Sequence, residues 1–215
     1  VEELSCSDFE PLAFELGFGA DGQLPAVTIH EAGEELSVVG KVDRVDGWRR
    51  DGKLYLRVID YKTGTKRFDL AELRYGLGIQ MLLYLFTLGR EGSRLFGGGP
   101  VEPAGVLYLP AREKLLNLPR GATDEEVARA MRKEFQRSGM VLSDPEVLCA
   151  MEHDALDSPC YLPVRVKKGK DGGTEIAGSI ATSAQLGKLG RYVEELLREM
   201  VRELARGNID ADPWV

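Results

Sequence analysis

The sequence is short of the residues that build disulfide frameworks and metal cages. Its three cysteines, Cys6, Cys149 and Cys160, are widely spaced and form no C-x-x-C pair. That argues against a disulfide scaffold or a complete zinc site and leaves a reducing cytosol as the expected compartment. Only two histidines occur, His30 and His153, which excludes a histidine-rich metal centre. No apolar run reaches the roughly 20 residues of a membrane span, and no charged segment followed by an apolar one opens the chain as an export leader would. Positive charge is scarce too: 28 Lys and Arg stand against 35 Asp and Glu, a net charge of -7. Proteins that hold nucleic acid mainly by neutralising phosphates are usually basic. A nucleic-acid role for this chain therefore needs a metal ion or neighbouring domains to supply positive charge. The chain opens at Val1, in mid-pattern, as expected of a segment cut from a longer protein.

What is present is enough apolar residue, 43% of 215 positions, to bury a sizeable core within one domain. The first part reads as strands. "LAFELGF" (Leu12 to Phe18) and "PAVTIH" (Pro25 to His30) flank the turn cluster "GADGQ". Glu35 to Asp46 reads as one long β segment, Asp51-Gly52 as a hairpin turn, and Leu54 to Lys62 as the partner strand. The spacing of Leu70, Leu73, Leu77, Met81, Tyr84 and Leu88 predicts one amphipathic helix from Asp69 to Leu88, capped by Asp69 and stopped by Gly89. A strand over Ala104 to Pro110 follows. "TDEE" (Thr123 to Glu126) predicts a capping box, opening a helix with Val127, Met131 and Phe135 on its apolar edge and Gly139 at its end. A short helix at Ser143 to Glu152, a strand at Cys160 to Val166 with a turn at "KKGKDGG", and a last helix from Ser183 to Arg206 complete the pattern. Gly207 is a fitting stop for that helix. Strands and helices in this order predict an α/β or α+β sheet covered by helices.

The chemistry sits in "VIDYKTGTKRF" (Val58 to Phe68), an apolar strand that ends in Asp60 and Lys62. The two are two residues apart, so both point to one face of a strand. Pairing through the Asp51-Gly52 turn brings Asp43 of "GKVDRVD" beside Asp60. Two adjacent carboxylates repel, and each favours the other's protonation unless a cation intervenes. Hard oxygens suit Mg²⁺ or Mn²⁺, which keep several waters. Such an ion binds a phosphate oxygen and acidifies a water, while Lys62 holds that water or offsets charge developing on the phosphate. The set reads as a phosphodiester-hydrolysing site. A plain salt bridge from Lys62 to Asp43 or Asp60 is the other reading of D-x-K by itself. Gln80 and Tyr84, one turn apart, both fall within the apolar stripe; a core-facing glutamine needs a hydrogen-bond partner.

The ordered set G-x-V-D-R-V-D (Gly40 to Asp46), I-D-Y-K-T-G (Ile59 to Gly64) and G-x-Q-M-L-L-Y-L (Gly78 to Leu85) resembles the RecB-like branch of the PD-(D/E)XK nucleases. Within that branch, "FEPLAFELGFG" (Phe9 to Gly19) and the tail from "GMVLSDPEVLCAME" to "RGNIDADPW" look like the nuclease domain of AddB-type subunits of bacterial helicase–nucleases. The resemblance implies a restriction-endonuclease-like mixed β-sheet flanked by helices. It implies one domain over residues 1–215, with the catalytic core at about 35–110 and a helical elaboration at about 111–158. It further implies Asp43, Asp60 and the Tyr61 carbonyl as metal ligands and Lys62 as the catalytic lysine. Gln80 and Tyr84 would position DNA or the active-site strands, Arg44 would orient the acids or contact phosphate, and Asp46 would support them.

The implied partners are DNA and an AddA-like helicase subunit, and the implied work is processing of double-strand ends for recombinational repair. Two family features are not met here. An upstream helix that supplies a further acid or histidine would precede Val1, leaving Glu15 as a weak substitute. Full-length AddB-type subunits carry a four-cysteine 4Fe–4S cluster, and Cys6, Cys149 and Cys160 lack its spacing, so no cluster is expected within this chain. Two alternatives remain: a catalytically silent nuclease-fold module that guides DNA or scaffolds a partner, and a stand-alone CRISPR-associated nuclease of the same branch.

Overall fold

A computed structural model describes residues 2–64, 67–111, 118–168 and 174–210. In chain order the elements are α1 (Glu2–Ser5), β1 (Glu10–Phe18), β2 (Val27–Glu31), β3 (Glu34–Val38), β4 (Gly40–Arg50), β5 (Lys53–Lys62), a 3-10 turn (Leu70–Tyr75), α2 (Ile79–Phe96), β6 (Val101–Pro110), α3 (Asp124–Phe135), β7 (Ser138–Leu142), α4 (Pro145–Met151), β8 (Val164–Lys168), β9 (Thr174–Gly178), β10 (Ile180–Ala181) and α5 (Ser183–Ala205). Six strands form one mixed sheet in the order β1-β4-β5-β6-β7-β10, and β2-β3 and β8-β9 are separate hairpins. This is the mixed sheet flanked by helices that the resemblance implies.

The β4–β5 hairpin lies inside that sheet, between β1 and β6. Asp51 (φ 51°) and Gly52 (φ 75°) both adopt the left-handed conformation that a two-residue hairpin turn requires. Pairing then runs from Arg50–Lys53 to Arg44–Ile59 without a shift. Val45, Leu56, Val58 and Ile59 are fully buried, which locks the register, since a one-residue slip would turn every side chain to the opposite face. β6 lies parallel to β5, so the connection needs a crossover, and α2 supplies it. Leu82, Leu85 and Leu88 of α2 are buried against the strands.

Several elements differ from the sequence-based expectation. The segment Glu35 to Asp46 is two strands in two sheets, because Val39 is left between β3 and β4. The expected helix from Asp69 to Leu88 is broken. Asp69 caps only the 3-10 turn, its Oδ1 accepting from the Ala71 N–H at 2.8 Å. Gly76 (φ 73°) and Gly78 (φ 70°) then turn left-handed, a conformation costly for other residues, and α2 starts afresh at Ile79. Of the expected stripe, Leu70 and Leu77 are exposed. Gly89 does not stop α2, which runs on to Phe96. Its missing side chain lets the helix sit close to Pro103 of β6. Gly139 likewise lies inside β7, and α3 ends earlier, at Phe135. The segment expected to be a helical elaboration thus also gives the main sheet a strand. β8 starts at Val164, four residues later than expected.

Other expectations match. The capping box forms, with Glu126 accepting from the Thr123 N–H at 2.9 Å and Thr123 accepting from the Glu126 N–H. The last helix runs over Ser183–Ala205 and buries Leu186, Val193 and Leu197, while Leu204 is exposed. The side chains of Met131 and Phe135, the turn residues at 169–173 and the tail from 211 lie outside the described residues.

One buried acid was not foreseen. Glu152, 4% exposed, follows α4 and accepts from the backbone N–H groups of Cys160, Tyr161 and Leu162 at 2.6 to 3.2 Å. It pins the loop that leads to β8. Removing it orphans buried donors at about 1–3 kcal/mol for a group left unsatisfied. Glu152→Ala is expected to lower the urea midpoint by an amount equivalent to about 3 kcal/mol, and Glu152→Gln by less; denaturation followed by circular dichroism checks both.

Candidate active site

One register step beyond the Arg44–Ile59 pair, Asp43 comes opposite Asp60 at the open end of the hairpin. Alternation along the strands puts Asp43, Asp60 and Lys62 on one face, the face that carries α2 through Leu56 and Gly92. Asp60 is 9% exposed. Lys62 Nζ lies 2.6 Å from its Oδ2. Beyond that ion pair, the buried Oδ2 has no hydrogen-bond partner among the described residues. Asp43 is held differently: its Oδ2 accepts from the Tyr61 N–H at 2.8 Å. The N–H and C=O of one extended residue face the same neighbour, so the Tyr61 carbonyl also turns toward the Asp43 side. Lys62 sits 5.7 Å from the centre of the Tyr108 ring. The Tyr108 hydroxyl is pushed up to about 12 by burial first, then by Asp60 and Glu72. It therefore faces the site as a neutral phenol.

The opposite face of the same strands carries a buried charge cluster. Arg44 donates to both oxygens of Asp46, at 2.6 and 2.7 Å. Arg57 donates to Asp46 Oδ2 from Nε at 2.9 Å. Asp46 is 0% exposed and Arg57 is 1% exposed. Burial would lower the Arg44 guanidinium, but Asp46 outweighs it and holds it above the ordinary arginine value. For Arg57 burial dominates and lowers it, opposed by Asp46 and Glu3. The Arg57 guanidinium also lies over Phe9, 5.0 Å from its centre. Arg44 Nη1 reaches the Tyr61 hydroxyl at 3.3 Å, so the cluster touches the residue whose backbone holds Asp43.

Gln80 and Tyr84 meet as a pair. Gln80 Nε2 donates to the Tyr84 hydroxyl at 3.0 Å. Gln80 itself is exposed rather than core-facing, a correction to the stripe reading, because α2 begins only one residue before it. Tyr84 is 5% exposed and stacks on Phe18, with ring centres 5.2 Å apart. Gly40, at the start of β4, makes room for it: a Cβ there would stand 2.2 Å from the Tyr84 hydroxyl. Glu15 pairs with Lys41 and is exposed.

The donor set at the acid pair is two carboxylates and a carbonyl, all hard oxygens, with one buried oxygen lacking a hydrogen bond. That suits a Mg²⁺-sized ion keeping several of its waters. Among the described residues no group of three His, Cys, Asp or Glu gathers anywhere. None of the three cysteines forms a disulfide; Cys6 is exposed and Cys149 and Cys160 are half-buried.

The chain matches the profile of the PD-(D/E)XK nuclease superfamily over residues 1–214. It belongs to that superfamily. Among curated proteins, the PD-(D/E)XK chain is 35% identical over 215 residues to a subunit of an ATP-dependent helicase/deoxyribonuclease from Acetivibrio thermocellus. It is 34% identical to the same-named subunits from Ruminiclostridium cellulolyticum and Clostridium botulinum strain Loch Maree. These alignments cover 99 to 100% of the chain but 18% of each relative. The PD-(D/E)XK chain thus spans under a fifth of the length of the relatives it matches. No described helix is long and apolar enough to cross a membrane.

Arg57, Phe18, Tyr108 and the role of Gly40 went unread in the sequence. Arg57 had a signal: the same count through the turn that sets Asp43 against Asp60 sets Asp46 against Arg57. Phe18 and Tyr108 come from strands whose register no local motif reports.

Two outcomes follow. Asp46→Ala leaves two buried guanidinium groups uncompensated and is expected to cost about 3–5 kcal/mol, read by urea denaturation. Gly40→Ala is expected to destabilise the protein less in a Tyr84→Phe background than in the wild type, since the clashing hydroxyl is gone; a double-mutant cycle measures that coupling.

Proposed function

We propose that the chain is a Mg²⁺- or Mn²⁺-dependent deoxyribonuclease domain, hydrolysing phosphodiester bonds within an ATP-dependent helicase–nuclease. The observation that carries the reading is the shared face of Asp43, Asp60 and Lys62 beside the Tyr61 backbone. Asp43, Asp60 and the Tyr61 carbonyl would hold the ion. When bound, it would lower the pKa of a water and polarise the phosphate.

The chain's own residues would do the rest. Lys62 would place its ammonium against the attacking water or a phosphate oxygen, where charge grows in the transition state. Asp60 would orient Lys62 through their ion pair. Asp43 would keep the end of β5 in place through the Tyr61 N–H. Arg44, pinned by Asp46, would brace the Tyr61 ring from behind. Gln80 and Tyr84 would set the start of α2 against the start of β4 and leave Gln80 exposed toward DNA.

The relatives are described as helicase/deoxyribonuclease subunits, which supports DNA as substrate and a helicase-bearing, AddA-like partner. The associated work would be the processing of double-strand ends. The domain would be single over residues 1–215, and the 4Fe–4S cluster of full-length relatives would be held by cysteines outside this chain.

A test is cleavage of end-labelled linear DNA by the intact protein. Asp60→Ala and Lys62→Ala are each expected to reduce the Mg²⁺-dependent rate by at least about 100-fold with the circular dichroism spectrum unchanged, and chelation by EDTA is expected to abolish it. Wild-type rates in both variants would contradict the assignment and favour a silent module.

A further inference from the structure

Next to Lys62 opens a cleft of about 940 Å³ whose walls come from the segment after β5, the end of β6, β7 and the β8–β9 hairpin. Its charge runs against that of the chain. Lys62, Arg67, Arg137 and Arg165 all line it, in a protein of net charge -7. Arg137 is already engaged: it pairs with Glu3 at 2.9 Å and lies over the Tyr161 ring. Arg67 and Arg165 are exposed and carry no ion pair among the described residues. The two acids on the walls are both engaged, Asp69 by its cap and Glu134 by a partner of its own. Phe68 and Tyr108 add aromatic surface to the wall.

Resting on the nuclease reading above, we propose that this cleft seats one strand of DNA leading from Lys62, with Arg67 and Arg165 as positioning residues that contact its phosphates. Free guanidinium groups from two separate segments suit successive phosphates of a flexible backbone. Aromatic wall residues suit stacking of unpaired bases, which needs no sequence match. The volume is that of a pocket for a small ligand. A cleft of that volume admits a few nucleotides of one strand. Lys62 belongs to both cleft and acid pair, so a strand lying there passes directly over the reacting position. The arrangement also removes the difficulty posed by the acidic composition: the positive charge is local.

The test uses fluorescence anisotropy of a labelled oligothymidylate of about 12 nucleotides, titrated in EDTA at several salt concentrations, alongside cleavage kinetics in Mg²⁺. Each neutralised phosphate contact on a single strand contributes about 0.7 to the slope of log affinity against log salt. Arg67→Ala and Arg165→Ala are each expected to lower the slope by about that amount, and the double variant by about twice as much. In cleavage they are expected to raise KM with little change in kcat. Arg191→Ala, an exposed arginine of α5, is the control and keeps the wild-type values. Wild-type affinity and slope in the double variant would overturn the cleft while leaving the nuclease reading intact. Tighter binding of a duplex than of the single strand by the wild type would also overturn it. Loss of binding in the arginine variants combined with cleavage that survives Lys62→Ala would support the strand seat and sink the catalytic assignment instead.

Discussion

The register of β4 against β5 is the constraint from which the rest of the site follows. It is set by a two-residue left-handed turn at Asp51 and Gly52 and held by fully buried Val45, Leu56, Val58 and Ile59. On one face that register brings Asp43 to Asp60; on the other it brings Asp46 between Arg44 and Arg57. A slip of one residue would undo both at once. The acid pair therefore does not depend on loops. It stands on two adjacent interior strands of the sheet.

The two faces have opposite electrostatic problems. The front presents two acids and a lysine at a rim. Lys62 and Asp60 form an ion pair at that rim. The back encloses one carboxylate between two guanidinium groups, a closed cluster with far larger penalties for losing a member. Tyr61 joins the two, its hydroxyl touching Arg44 and its backbone holding Asp43. A rigid back and an open front are what the proposed cation and phosphate would require, a geometry formed before they bind.

Much of this was legible in the residues. The turn signal at Asp51-Gly52 and the alternation of "VIDYK" suffice to place Asp43, Asp60 and Lys62 together. The motif set alone points to the superfamily. What escaped did so for physical reasons. The apolar spacing continues through Gly76 and Gly78, so periodicity alone joins a 3-10 turn to α2 and turns Gln80 inward; only the left-handed glycines break it. Gly89 and Gly139 read as stops, yet one lets α2 sit close to Pro103 and the other lies in β7, where a Cβ would meet the Val106 carbonyl of β6. Strands as short as β10 carry too few residues for any pattern. The basic cleft is invisible in composition because Arg67 and Arg165 are about a hundred residues apart and the total charge is negative.

The central claim is that Asp43 and Asp60 form one cation site. Isothermal titration of Mn²⁺ into the wild-type protein and into Asp43→Asn and Asp60→Asn tests it most directly. The account predicts one ion bound by the wild type and loss of that binding in either variant, with the fold retained. Titration of either variant with wild-type affinity and stoichiometry would contradict it.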